Sequence, residues 1–193
     1  MNADGRVAAV ILAAGESRRF GSPKQLVVVD GVTLLEHVIA TARTSGLMPV
    51  VAVVPVWLSR PARLSADWLR WIRNPYPERG MSHSLQLGLE ALADEAEAAV
   101  ILLGDQPRIP AETIAAVLAA RGERPIVAAE AGGVLAPPVL IERSQFGLAS
   151  RLTGDQGLRD VLRGSPDLLR VVLVARHPPD MDTPDDLERL RGG

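Results

Sequence analysis

The sequence predicts an α/β protein: a mostly parallel sheet with helices on both faces. Three observations carry that prediction. Runs of consecutive apolar residues recur at 6–13 (RVAAVILA), 50–54 and 98–103 (AAVILL), the pattern of strands buried on both sides. Between these runs lie segments with apolar residues at helical spacing, and the order strand, helix, strand implies βαβ units. The 193 residues, 47% hydrophobic and 23% charged, suit one domain over 1–193 with a two-sided core.

The opening MNADGRVAAVILAAG carries an acidic residue before a short apolar run. It lacks a basic n-region and the length of a membrane span, so it is predicted as the first strand. A polar loop with glycines follows from Ala14 to Lys24. Residues 33–44 are predicted helical, stopped by Gly46. Residues 50–54 form the second strand. In 57–69, Trp57, Leu58, Leu64, Trp68 and Leu69 suggest a helix interrupted by Pro61, and 71–74 a short strand. NPYPERG, from Asn74 to Gly80, is a loop. Ser82 is expected to cap a helix reaching about Ala93, with Leu85, Leu89 and Leu92 on one face. The third strand, 98–103, ends at Gly104-Asp105-Gln106-Pro107, and Pro110 begins a helix to Ala120. Residues 125–129 and 134–141 are strand segments, 158–162 a short helix and 169–175 a late strand. Thr183 caps a terminal helix that starts at Pro184. Residues 131–168 break the alternation and are expected to form an insertion that covers a site.

Charge and composition exclude several classes. A formal net charge of −2 gives no global attraction to nucleic acid, so a small anionic ligand needs a local positive site. The absence of cysteine excludes a disulfide framework, a thiolate zinc site and cysteine catalysis, and it is compatible with the expected cytoplasmic location. The chain has twenty arginines and one lysine, Lys24, which falls inside the first glycine-bearing loop. A flexible ammonium is chemically distinct from a planar guanidinium.

That first loop follows the first strand at the carboxyl edge of the sheet, where open α/β sheets bind ligands. Gly15 and Gly21 allow a close backbone approach, and Arg18, Arg19 and Lys24 supply cations, which together suit phosphate oxygens. A solvated polar turn accounts for the same residues nearly as well. The GxxxxGK[ST] spacing is absent, and so is the GxGxxG of a dinucleotide-binding oxidoreductase. Ser82 at a helix start is either a plain cap or a place for anions and ligand hydroxyls. Asp105, at the end of a buried strand, is either a turn residue or a hard-cation ligand, and the adjoining first loop favours the ligand. Asp185 and Asp186 in the first turn of the last helix are explained by the macrodipole.

The segment Leu12-Ala-Ala-Gly-Glu-Ser-Arg-Arg-Phe-Gly-Ser-Pro-Lys24 resembles the signature loop of nucleotidyltransferases with the glycosyltransferase-A-like, Rossmann-type fold. The resemblance implies that Leu12, Ala13, Ala14 and Gly15 surround base and sugar, that Arg19 holds the β- and γ-phosphates and that Lys24 touches the α-phosphate, with Arg18 secondary. Ser84, in the Ser-Leu-x-x-Gly-Leu helix, would face the base or ribose. Asp105, in Leu-Gly-Asp-Gln-Pro, would bind a metal bridging the phosphates, and Asp182 a second position, with Asp180 the weaker candidate. The metal would be Mg²⁺, with Mn²⁺ as the alternative. Lys24, Arg19 and Asp105 would carry the chemistry: an acceptor phosphate attacks the α-phosphate and pyrophosphate leaves. Leu152-Thr-Gly-Asp-Gln-Gly157, Gly80-Met-Ser and Pro23-Lys-Gln resemble the molybdenum cofactor cytidylyltransferase branch, and Ala14 in place of glycine favours cytidine, hence CTP. Where that branch carries Gly-His-Pro, this chain has Ala136-Pro137-Pro138. A sugar- or polyol-phosphate acceptor therefore stays open, as does a non-catalytic maturation factor that hands cofactor to a molybdoenzyme. The implied partners are a nucleoside triphosphate, a small phosphorylated acceptor and a molybdoenzyme client, with neither nucleic acid nor membrane.

Overall fold

The computed structural model describes residues 6–15, 20, 23–92, 95–154, 162, 164, 166–181 and 184–191. Strand β1 (Val7–Leu12) is followed by a 3-10 turn at Lys24–Leu26 and a small antiparallel pair, β2 (Val28–Val29) and β3 (Val32–Thr33). Asp30 and Gly31 join that pair with positive φ at both, the Asp-Gly hairpin turn whose twist matches its strands. Then come α1 (Leu34–Thr44), β4 (Val50–Pro55), β5 (Leu69–Asn74), α2 (Met81–Glu90), β6 (Ala98–Leu103) and α3 (Ala111–Ala119). A hairpin of β7 (Ile126–Ala131) and β8 (Val134–Glu142), the strand β9 (Leu169–Leu173) and the helix α4 (Pro184–Arg191) complete the described elements.

Among the described residues the main sheet has seven strands in the order β5-β4-β1-β6-β8-β7-β9. Pairing is parallel throughout except along β8, which runs antiparallel to both β6 and β7. The chain steps outward from β1 to β4 and β5, then returns to place β6 on the other side of β1. The carboxyl ends of β1 and β6 therefore flank a topological switch point, the crevice where open α/β sheets take their ligands.

Alternation along the buried strands divides the core between the two faces. Ala9, Ile11, Val50, Ala52 and Val100 meet Leu35, Val38 and Ile39 of α1 and Ile114 and Val117 of α3. The intervening Ala8, Val10, Val51, Val53 and Ile101 meet Leu85 and Leu89 of α2 on the other face. Gly88 sets how closely α2 approaches: a Cβ there would lie 2.3 Å from Val10 Cγ1 and 3.3 Å from Val53 Cγ2. A glycine inside a helix costs about 1 kcal/mol against alanine, but full burial of each leucine beside it contributes about 1.5–3 kcal/mol, so the close approach wins.

The helix of 33–44 forms as expected, with Thr33 as its cap. Thr33 Oγ1 accepts from the Glu36 N–H at 3.3 Å, and the Thr33 N–H donates to Glu36 Oε2 at 2.9 Å. This capping box satisfies two otherwise unpaired donors. Four expectations are corrected. Residues 57–69 hold no α-helix, only a 3-10 turn at Ala62–Leu64, because prolines at 55 and 61 deny the backbone a continuous ladder. The strand after it starts at Leu69 rather than Trp71, paired along its length with β4. Ser82 is not the cap of α2: Gly80 holds that position, with no side-chain capping bond, and Ser82 is buried. Residues 134–142 are not part of an insertion that covers a site: they form β8, which lies inside the sheet and pairs on both edges, where an apolar strand is more stable than as a cover. Residues 158–161 of the helix expected at 158–162, and the Thr183 cap, fall outside the described residues.

Candidate functional site

The loops leaving β1 and β6 lie side by side at the switch point. The Gly104 N–H donates to Leu12 O at 2.9 Å, and the Ala13 N–H to Val53 O of β4 at 2.9 Å. A Cβ at Gly104 would stand 2.7 Å from Ala13 Cβ and 3.3 Å from Leu12 O, so glycine is what lets the two turns touch. Gln25 fixes the first loop from the other side: its Nε2 donates to Ala13 O and to Gly15 O, each at 2.8 Å. Ala13 and Ala14 are buried, while Gly15 is exposed, and a Cβ added at Gly15 meets nothing within 4 Å among the described residues. Open space beside a tethered, glycine-bearing backbone is the shape that a ligand fills.

Lys24 and Asp105 stand 81 residues apart in sequence, yet Lys24 Nζ donates to Asp105 Oδ2 at 3.1 Å. The ammonium is mostly buried and the carboxylate about one quarter exposed. Burial pushes the Asp105 carboxyl above its usual range; Lys24 opposes the rise, and the nearby Asp180 carboxylate adds to it. Asp180 is tied in by Gln106, whose Nε2 donates to Asp180 Oδ1 at 2.7 Å, and the Met181 N–H donates to Asp105 O at 3.1 Å. The buried Oε1 atoms of Gln25 and Gln106 have no hydrogen-bond partner among the described residues.

Ser84 sits in the first turn of α2, above the carboxyl ends of β4 and β5. Its Oγ accepts from Asn74 Nδ2 at 3.0 Å, and Asn74 Oδ1 accepts from the Tyr76 N–H at 2.8 Å. His83 is half-buried beside Tyr76, with ring centroids 6.0 Å apart, and its Nε2 has no partner among the described residues.

Of the residues picked out from the sequence, Leu12, Ala13, Ala14, Gly15, Lys24 and Asp105 come together at one crevice. Arg18, Arg19 and Asp182 lie outside the described residues. Asp180, the weaker of the two candidates, is tied to the same place through Gln106, and the geometry adds Gln25, Asn74 and Gln106. Gln25 and Gln106 had a signal, each being the residue after a charged one singled out in its motif, whereas Asn74 looked like a turn residue.

A model of the MobA-like NTP transferase domain matches residues 9–176, from within β1 to beyond β9. The chain belongs to that family. It is a nucleotidyltransferase by descent, and its Rossmann-like sheet is the one the sequence predicts. The MobA-like chain is 29% identical over 194 residues to the purine catabolism protein PucB of Bacillus subtilis (strain 168), covering 94% of each protein. It is 33% identical over 159 residues to the 2-C-methyl-D-erythritol 4-phosphate cytidylyltransferase of Psychrobacter arcticus, covering 79% of this chain and 54% of that protein. Among solved structures it is similar to Rv0371c of Mycobacterium tuberculosis H37Rv, at TM-score 0.87 and 29% identity over all of both chains. The same mycobacterial protein has been solved in complex with manganese, at TM-score 0.81 and 26% identity, covering 97% of this chain and 99% of that one. The loops that meet at the switch point, carrying Lys24 and Asp105, all fall within the part of the MobA-like chain that the family match spans.

Proposed function

We propose that this chain, acting as a single domain over 1–193, transfers a nucleoside monophosphate, CMP from CTP, to a phosphorylated acceptor and releases pyrophosphate. The molybdenum cofactor is the first acceptor to test. The observation that carries the proposal is the Lys24–Asp105 pair: the lone lysine and the strand-end aspartate meet at 3.1 Å in the crevice where nucleotide and acceptor must meet. The kinship with a cytidylyltransferase and Ala14 in the first loop support CTP.

The residues present fit a hard divalent cation. Asp105, Asp180 and the unpaired Oε1 of Gln106 offer oxygen donors alone, the donor type that Mg²⁺ and Mn²⁺ prefer. Asp105 would hold the metal, with Asp182 or Asp180 beside it. No group of three His, Cys, Asp or Glu side chains gathers among the described residues, so the metal would take most of its remaining oxygens from phosphate and water. Such a cation lowers the repulsion between two anionic reactants and aligns them. Lys24 leaves Asp105 for the α-phosphoryl oxygens, where it offsets charge that develops in transfer. Arg19 steadies the departing pyrophosphate. The Ala13–Gly15 backbone, held by Gln25, faces base and sugar, and Ser84 contacts the same nucleotide. No side chain serves as nucleophile.

The test is pyrophosphate release with Mg²⁺, offering CTP, GTP, ATP and UTP with molybdenum cofactor as acceptor. Release with CTP, abolished in Asp105→Ala, is the expected result. Absence of release with every triphosphate would overturn the reading for this acceptor and pass the test to sugar and polyol phosphates.

A further inference from the structure

Asn74 is fully buried at the last position of β5, where both the oxygen and the nitrogen of its side-chain amide need hydrogen-bond partners. Its orientation is fixed by its neighbours. The Tyr76 backbone N–H can only donate, so the atom 2.8 Å from it is the carbonyl oxygen of the Asn74 amide. The other atom, Nδ2, therefore points at Ser84 Oγ, 3.0 Å away. A hydroxyl that accepts from an amide N–H has its own proton left to give. No described residue accepts that proton. Ser84 lies in the first turn of α2, next to Leu85, which shares a buried cluster with Ala14 of the first loop.

We propose that Asn74 is a positioning residue: by donating to Ser84 Oγ it presets the Ser84 hydroxyl as a hydrogen-bond donor toward an acceptor atom on the nucleotide base. This rests on the reading above that Ser84 contacts nucleotide. An acceptor-only side chain at position 74 reverses the polarity. Asn74→Asp keeps the bond from the Tyr76 N–H but takes the Ser84 proton, so Ser84 presents a lone pair to the base.

The experiment is a double-mutant cycle read by isothermal titration of Mg²⁺ with CTP, GTP, ATP and UTP in turn, following the triphosphate the wild type binds tightest. Ser84→Ala is expected to weaken that nucleotide by about 10-fold, the usual worth of one hydrogen bond in a protected site. Asn74→Asp is expected to cost at least as much beside Ser84 and about nothing in the Ser84→Ala background, because both act through one hydroxyl. Bases offering a donor at that position should lose least. Equal losses from Asn74→Asp in both backgrounds would overturn the proposal and leave Asn74 a structural residue. Thermal melts of each variant report folding. If Asn74→Asp does not fold, Asn74→Ala in the same cycle carries the test, with an expected loss of about 3-fold that again vanishes beside Ser84→Ala. A wild type that binds none of the four triphosphates would refute the nucleotide reading itself, which is a separate outcome.

Discussion

At the scale of single residues, the candidate site is held at a cost to stability. Asp105 is kept above its usual carboxyl range by burial, and Asp180 adds to the strain while Lys24 relieves part of it. For a carboxyl raised in the folded state, ionised charge weakens folding as pH rises from the ordinary range through the folded value, and the loss persists above it. Asp105→Asn is therefore expected to melt no lower than wild type at neutral pH, with the difference closing in acid, while losing pyrophosphate release. Thermal denaturation across pH measures it. A variant much less stable than wild type at neutral pH would show that the Lys24 pair outweighs the burial. Lys24 and Asp105 were legible because each breaks a local pattern: the lone lysine among arginines, and an acid closing an apolar run. The roles of Asn74, Gln25 and Gln106 were not legible, since an amide's hydrogen-bond partners come from other parts of the chain.

At the scale of elements, α1 shows how local signals and a distant partner reinforce one another. Glu36 closes the capping box with Thr33 and also receives Arg63, whose Nε lies 2.5 Å from Oε1 and whose Nη2 lies 2.7 Å from Oε2. These bonds push the Glu36 carboxyl down to about 2, with the Arg63 hydrogen bond the largest cause. The sign is the opposite of that at Asp105: a depressed carboxyl stabilises the fold above its ordinary value of 4.5 and loses that contribution as pH falls toward 2. Arg63 is largely exposed, so solvent screens the pair, and Glu36→Gln is expected to cost about 1 kcal/mol at pH 7, narrowing below pH 4.5. Urea titrations of both proteins across pH check the size and the direction. The helix was legible from its apolar spacing and the Gly46 stop, whereas its capping box and Arg63, which reaches it from a turn that sequence pattern suggested was helical, came only with the structure.

At the scale of the whole molecule, β1, β4 and β6 were legible as apolar runs because strands covered on both faces need little polar alternation. The antiparallel β8 was recognised as a strand, but its place between β6 and β7 was not, since nothing in an apolar run says which edge it will pair with. The crevice at the β1/β6 switch joins loops far apart in sequence, so a ligand that bridges them stabilises the global fold. CTP with Mg²⁺ at about 100 times Kd is expected to add about 2.7 kcal/mol, or roughly 5–10 °C in Tm for a chain of this size. Differential scanning fluorimetry with and without EDTA measures it. An unchanged Tm at saturating CTP and Mg²⁺ would sink the assignment of this crevice as the nucleotide site.

The sequence by itself determined the α/β class, the positions of the buried strands, the helical run of α1 and the two loops that carry Lys24 and Asp105. These follow from short-range causes: side-chain periodicity and the residues that end a strand or a helix. Tertiary structure alone decided that Lys24 and Asp105 meet at 3.1 Å, that β8 enters the sheet antiparallel and that Asn74 donates to Ser84 Oγ. Each of these is a pairing between segments distant in the chain. It is selected by the packing of the whole core, because only the assembled sheet brings those groups within hydrogen-bonding reach.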